Sequence, residues 1–281
     1  GTLRKASCRE RQTNRATEKI NLSNNSERKV TPMDIYGLIG FPLKHSFSAR
    51  FFAEKFEKEH IDAEYRNFEI DSIDLLPGII DSTPGLKGLN VTLPYKEQVI
   101  RFLDELDETA EAVGAVNVIK ITRSGGKVSL KGYNSDLIGF RNSISPLIDP
   151  AKHFKALILG TGGASKAVDY ALKSLGLETR FVSRSQRPDM YTYYDLAGEI
   201  LEEYKVIVNA SPLGTFPDVE ACPSIPYELL GKNHLLYDLV YNPPVTKFLE
   251  LGNIQGAVTK NGEEMLWLQA LAAWDIWNEE R

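Results

Sequence analysis

Cysteine is almost missing from this chain: among 281 residues only Cys8 and Cys222 occur, far apart, the second directly before Pro223. Two isolated thiols exclude a disulfide framework and a thiolate zinc site. Histidine is scarce too, and His45, His60, His153 and His234 have no ligand spacing, so no metal centre is expected. No apolar run approaches the ~20 residues that span a bilayer, and no membrane partner is expected.

Acidic charge prevails overall, at -5, but one region is short of it. Residues 1–31 hold eight Lys or Arg against three Glu, so a local +5 precedes a body of -10. A basic arm can bind nucleic acid. Aromatic residues are absent there and apolar ones sparse, so residues 1–32 read as a disordered tail with no nucleic-acid partner. Three Glu also argue against an acid-poor transit peptide.

What the chain does contain is a strand–helix alternation, with 42 % hydrophobic and 25 % charged residues as in an ordinary globular protein. Its length favours two domains over one core. Residues 34–40 read as a buried strand stopped by Phe41-Pro42, and the next helix carries Phe51, Phe52 and Phe56 on one face. A strand over 63–70, a kinked helix over 71–83 and a strand over 85–92 follow. The pattern then predicts a charged helix over 96–114, strands over 115–119 and 128–132 joined through a turn at 124–126, and a helix over 137–145. Past Pro150 come a strand over 154–159, a helix to residue 175, a strand over 179–182, and strands opening at 205 and 235. The last helix presents Met265, Leu268 and Ala272 on one face, widened by Leu266 and Trp267.

Chemistry collects where polar residues end these strands. Asn90-Val91-Thr92-Leu93-Pro94-Tyr95-Lys96 puts amide, hydroxyl and amine at a strand's C-terminal end, the edge where open α/β sheets bind small molecules. Gly132-Tyr133-Asn134-Ser135-Asp136 is a second such turn. Alone, Lys96 reads as a solvated lysine and Asp136 as a helix cap; if the turns meet, an amine and a carboxylate share one pocket. Ser46 and Ser48, at a helix start, are either caps or a carboxylate clamp made of hydroxyls and free N–H groups. Gly160-Thr161-Gly162-Gly163-Ala164-Ser165, between strand and helix, lets backbone approach a pyrophosphate. At the end of the following strand, Ser183-Arg184-Ser185 offers an arginine where an NAD enzyme would carry Asp or Glu, which favours the 2'-phosphate of NADP.

Asn-Val-Thr-Leu-Pro-Tyr-Lys at 90–96 together with Asn-Ser-Asp at 134–136 resembles the signature of shikimate dehydrogenases, which reduce 3-dehydroshikimate to shikimate in aromatic amino-acid biosynthesis. Further similar phrases run from Tyr36 to Gln269. The resemblance implies an α/β protein of two domains: a substrate domain over 33–135 plus 262–281, to which the C-terminal helix returns, and a Rossmann-type domain over 136–261. It implies a cytoplasmic, NADP-dependent oxidoreductase, monomer or homodimer, acting on a small polyhydroxylated cyclic carboxylic acid. Lys96 and Asp136 would be catalytic. Ser46, Ser48 and Tyr241 would hold the carboxylate, Asn90, Asn117, Asp136 and Gln269 the hydroxyls, and Thr92 would also bind the substrate.

For the cofactor it implies Gly160, Gly162, Gly163 and Ala164, then Ser183, Arg184 and Ser185, then Asn209, Ala210 and Ser211, and Gly262 before the last helix. Departures from the family are Ala49 where proline is usual and Arg187 one place early for a second phosphate-binding arginine; Ser165 replaces the third glycine of the general dinucleotide pattern, while Gly-x-Gly-Gly-Ala is similar to the family's own form. Two alternatives stay open, an NAD-preferring quinate/shikimate dehydrogenase and a catalytically silent relative that binds metabolite or nucleotide.

Overall fold

The computed structural model describes residues 33–43 and 46–279; the basic tail and His45 lie outside the described residues. The first half runs β1 (Asp34–Gly40), α1 (Phe47–Lys58), β2 (Ala63–Glu69), α2 (Leu76–Ser82), β3 (Leu86–Val91), β4 (Glu105–Leu106), α3 (Glu108–Val113), β5 (Val118–Ser124) and β6 (Lys127–Tyr133). These strands form one six-stranded sheet in the order β2-β1-β3-β5-β6-β4. β1 pairs in parallel with β2 and β3, whereas the β5–β6 hairpin, closed by Gly125-Gly126, is antiparallel. Parallel pairing demands crossovers, and α1 and α2 supply them on opposite faces. Phe51, Phe52 and Phe56 of α1 pack against Tyr36 on one side, while Leu76 and Ile80 of α2 pack with Ile39 and Leu89 on the other.

After α4 (Ser135–Ile144) the second half runs β7 (Lys155–Leu159), α5 (Gly163–Ser174), β8 (Glu178–Ser183), β9 (Tyr191–Thr192), α6 (Gly198–Glu203), β10 (Val206–Asn209), β11 (Leu235–Asp238), α7 (Lys247–Ile254) and β12 (Val258–Lys260). Its sheet, in the order β12-β11-β10-β7-β8-β9, is parallel throughout. The central strands of such a sheet are covered on both faces and therefore near-continuously apolar, as in β7, β10 and β11, whereas β8 and β12 toward the edges carry Glu178, Arg180 and Lys260. Ile158, Val208 and Tyr237 face α4 and α5, while Leu157, Leu159, Ile207 and Leu236 face Phe248 and Leu249 of α7. The chain order reverses between β7 and β10, and the crevice at their C-terminal ends is the place where doubly wound sheets bind ligands.

The last helix, α8 (Glu263–Asn278), leaves the second sheet and packs on the first. Ala270, Ala273, Ile276 and Trp277 join the cluster around Tyr36 and Phe52. Gly88 makes this possible: a Cβ there would lie 2.3 Å from the Trp277 indole nitrogen, which instead donates to the Ile119 carbonyl at 3.0 Å. A glycine inside a strand often marks such a close approach. The buried residues of α8 are Met265, Gln269, Ala270, Ala272, Ala273, Ile276 and Trp277, and Leu268 is only half-buried. Trp267 is exposed yet edges onto Phe47 and Phe51.

Several expected elements differ. The helix over 96–114 is broken into a 3-10 turn at Gln98–Phe102, β4 and α3. Pairing with β6 overrides the charged helical pattern: Asp104 N–H donates to the Leu130 carbonyl at 2.9 Å, the Asp104 carboxylate accepts from Leu130 N–H at 2.7 Å, and Glu105 pairs with Lys131. Asp107 then caps α3, accepting from Ala110 N–H at 2.9 Å. The strand expected over 115–119 begins instead at Val118, because Val116 and Asn117 spend their N–H groups on Lys96 and Tyr133 at the strand's mouth.

Candidate active site

Lys96 and Asp136 meet. The Lys96 ammonium lies 2.6 Å from Asp136 Oδ2, and their side chains are 18 % and 13 % exposed. Each arrives there by a local device. β3 ends at Val91, Tyr95 N–H bonds to the Thr92 carbonyl, and the Lys96 carbonyl accepts from Val116 N–H at 2.8 Å, which pins the turn against the approach to β5. On the other side Asn134, not Asp136, caps α4, accepting from Leu137 N–H at 3.0 Å and donating to the Ala115 carbonyl at 2.9 Å. The cap reading of Asp136 therefore fails: with Asn134 in that place, Asp136 is free in the first turn to pair with the amine. Ser135 locks the geometry, since its N–H donates to Asn117 Oδ1 at 2.7 Å and its hydroxyl accepts from Asn117 Nδ2 at 3.0 Å.

One pocket of about 370 Å3 includes both members of this pair. Ser46, Ser48, Asn90, Thr92 and Asn117 line it from the first sheet's side, and Tyr241 and Gln269 from the loop after β11 and from α8. Ser46 is also the cap of α1, accepting from Ala49 N–H at 3.0 Å, so the Ala49 departure leaves the helix start intact. Asn117 has given one donor and one acceptor to Ser135, and Gln269 one donor to the Leu266 carbonyl at 2.9 Å; each amide keeps further capacity for a hydroxyl. Leu38, Phe47, Met265 and Leu266 supply the apolar part of the wall. A small ring bearing several polar groups matches this lining.

Sequence reasoning missed Tyr65. Its hydroxyl, contributed by β2, donates to Asn90 Oδ1 at 2.7 Å and bonds to Ser48 as well, so one phenol fixes two residues of the pocket. Burial raises its pKa above the ordinary tyrosine value, which keeps the proton on. No signal in the chain marked it, because a tyrosine in an alternating strand reads as packing.

A second cavity, of about 650 Å3, opens along the C-terminal ends of β7, β8 and β10. Gly160 and Gly162 line it, with Ser183, Arg184 and Ser185 after β8 and Ala210 and Ser211 after β10. Gly160 sits at φ +115°, a conformation only glycine adopts freely, 3.2 Å by its missing Cβ from the Ala210 carbonyl. At Gly162 and Gly163 nothing lies within 4 Å of where a Cβ would be, so the turn is open above its backbone. No side chain caps α5, which leaves its N-terminal N–H groups to a ligand. The lining holds two guanidinium groups, Arg184 and Arg187, and no carboxylate. That donor set suits a dinucleotide with an extra phosphate and gives a ribose diol no acidic partner.

Four expected cofactor residues stand elsewhere. Gly163 faces neither cavity, Ala164 and Gly262 line the Lys96 pocket, and Asn209 is fully buried beneath the loop that follows it. Ala164 in that wall brings the start of α5 to the edge of the substrate side. Tyr193 and Tyr194, unmarked in the sequence, wall the outer end near Arg184; β9 pairing with β8 carries them there. Glu97, next to Lys96, pairs with Lys166 of α5 at 2.8 Å across the two halves. Among the described residues no cluster of His, Cys, Asp and Glu could hold a metal ion, and no helix is long and apolar enough to cross a membrane.

A family model described as the shikimate dehydrogenase substrate binding domain matches residues 38–119. The chain is 35 % identical over 266 residues to a shikimate dehydrogenase (NADP(+)) of Caldanaerobacter subterraneus subsp. tengcongensis, covering 88 % of this chain and 92 % of that one. Its fold is similar to shikimate 5-dehydrogenase from Thermus thermophilus in complex with NADP(H) and shikimate, with 30 % identity and a TM-score of 0.75 over 88 % of this chain and 94 % of that one. It is also similar to ligand-free 5-ketofructose reductase of Gluconobacter sp. strain CHM43, with 25 % identity and a TM-score of 0.74 over 88 % and 93 % of the two chains.

Proposed function

The chain belongs to the shikimate dehydrogenase family, and from that premise we propose that it interconverts 3-dehydroshikimate and shikimate with NADP as cofactor, as a cytoplasmic enzyme. The observation that carries this reading is the 2.6 Å contact of Lys96 with Asp136, inside a pocket that also holds Ser46, Ser48, Asn90, Thr92, Asn117, Tyr241 and Gln269. Residues 33–135 with 262–281 form the substrate domain and 136–261 the cofactor domain, with Asp136 and Tyr241 of the latter reaching into the substrate pocket.

When bound, NADPH supplies a hydride to the ring carbonyl carbon. Lys96 gives a proton to the carbonyl oxygen as negative charge develops there, and in the reverse direction takes it from the hydroxyl. Asp136 orients the ammonium through the hydrogen bond already present and accepts from the neighbouring substrate hydroxyl. Ser46, Ser48 and Tyr241 hold the carboxylate, and the amides of Asn90, Asn117 and Gln269 bond the remaining hydroxyls. Each buried polar group then discriminates strongly against an analogue that lacks its partner. Gly160, Gly162 and the uncapped start of α5 receive the pyrophosphate, and Arg184, aided by Arg187, receives the 2'-phosphate.

The test is a steady-state assay of purified protein with shikimate and NADP, run beside quinate and beside NAD. Turnover with shikimate and NADP, weaker with NAD, is the expected outcome. No turnover with shikimate under either cofactor defeats the reading, and preference for NAD or for quinate would move the protein to the quinate/shikimate branch. Since a 5-ketofructose reductase shares this fold, 5-ketofructose belongs in the same panel.

A further inference from the structure

We infer that Asp238 is a positioning residue for the cofactor: by fixing the Asn209 amide it sets the loop over 209–213 that forms one wall of the cofactor cavity. The inference rests on the proposed function, since it presumes that this cavity takes NADP.

Asp238 and Asn209 end adjacent strands and sit directly opposite in register, both fully buried. The carboxylate accepts from Asn209 Nδ2 at 3.0 Å, from Val240 N–H at 3.0 Å and from the Thr246 hydroxyl at 2.5 Å. A carboxylate can only accept, so the Asn209 amide must turn its NH2 inward and its oxygen toward the loop. That oxygen receives Ser211 N–H at 3.1 Å and the Ser211 hydroxyl at 2.6 Å, while Nδ2 also reaches the Leu213 carbonyl at 3.3 Å. Ala210, Ser211, Pro212 and Leu213 all line the cavity. Burial raises the Asp238 pKa to about 6, with no cation among its partners. Of its three donors, Val240 and Thr246 secure the loop after β11 and the start of α7, and Asn209 is the one that carries the carboxylate's hold into the cavity wall.

The test measures NADP binding by calorimetric titration to wild type, Asp238→Asn, Asn209→Ala and the double variant, with steady-state kinetics beside it. In Asp238→Asn the charge is gone and one acceptor oxygen is left, so the Asn209 NH2 is held by a neutral bond in place of a charge-assisted one and the acceptor of Ser211 N–H is less firmly fixed. The expected result is an NADP Kd and KM raised about ten-fold or more in each single variant, the factor one charge-assisted hydrogen bond commands, with kcat within about three-fold. Because Asp238 acts through Asn209, the double variant binds no worse than the weaker single. Additive losses, or unchanged NADP affinity in Asp238→Asn, overturn the inference. Should Asp238→Asn fail to fold, Asn209→Ala carries the test alone, and unchanged affinity there overturns it equally. Tyr237→Phe, which removes a buried hydroxyl bonded to Ser143 on the same strand as Asp238, is the control. Its stability falls while its NADP affinity holds, and an equal loss of affinity would reveal general loosening and overturn the inference. Wild type that binds no NADP defeats the proposed function itself; wild type that binds, with Asp238→Asn unaltered, defeats only this step.

Discussion

The two cavities are assembled by opposite means. The cofactor side uses backbone and short runs of neighbours, Gly160 to Gly162, Ser183 to Ser185 and Ala210 to Leu213, each at the end of an adjacent parallel strand. The substrate side uses single side chains drawn from Ser46 to Gln269, placed by a cap, a strand end, a hairpin approach and a returning helix. A dinucleotide offers a long charged spine that repeated N–H groups can hold, so local sequence suffices. A small polyol has to be met hydroxyl by hydroxyl, and those partners have to come from many directions. Charge follows the same division: Asp136 has an amine beside it, whereas Asp238 beneath the cofactor loop has only neutral donors.

The strongest way to break this contrast is Lys96→Ala. If chemistry resides wholly on the substrate side, kcat falls by about 100- to 10,000-fold, as for loss of a positioned acid or base, while the NADP Kd stays within about two-fold. A matching loss of NADP affinity would merge the two sites. Next in size is the pH dependence of Asp238. Its folded pKa, about 6, lies above the ordinary 3.8, so its contribution to stability is full below about 3.8 and is lost as pH rises through about 6. Wild type should therefore lose roughly 3 kcal/mol relative to Asp238→Asn across that window, at 1.36 kcal/mol per unit. Denaturant melts at a series of pH values test this; a gap that does not move with pH would place the carboxylate's proton elsewhere.

The same contrast governs what the sequence made legible. Glycines between a strand and a helix announce the cofactor crevice because the constraint is local, and the arginine after β8 is read from its place alone. Lys96 and Asp136 stand forty residues apart, and only the resemblance of whole phrases joined them. Tyr65 stayed hidden, since a strand tyrosine that packs and one that orients an asparagine look alike. The helix expected over 96–114 failed for a tertiary reason, the pull of β6 on Glu105 and Leu106, which outweighs a local pattern of charges. Asp136 as a cap failed because Asn134 already occupied that role, a competition that neighbouring side chains settle only in three dimensions.

Arg184→Ala sharpens the cofactor half of the comparison. If Arg184 meets the 2'-phosphate, KM for NADP rises about ten- to a hundred-fold, the range of a charge-assisted pair, and KM for NAD hardly changes. Arg187→Ala follows the same direction with a smaller effect, because Arg187 precedes Pro188 and lies farther along the loop from β8. Equal losses for both cofactors would assign the arginines to the shared pyrophosphate instead.

The finest test is Tyr65→Phe, which removes one oxygen from a residue that lines neither cavity. Asn90 Oδ1 then loses its 2.7 Å donor, and the Ser48 hydroxyl loses its companion. An unsatisfied buried acceptor costs about 1–3 kcal/mol, partly recovered if the Asn90 amide swings into the pocket to find a new donor. That swing moves a group meant for a substrate hydroxyl, so KM for shikimate rises about three- to ten-fold while kcat changes less and NADP binding stays as it was. Stability measured without substrate separates the two consequences: a melt lowered by about 1 kcal/mol with an unaltered KM would make Tyr65 a packing residue after all. A raised KM with an intact melt would show that the substrate side is tuned from behind, by side chains that set the direction of those facing the ring.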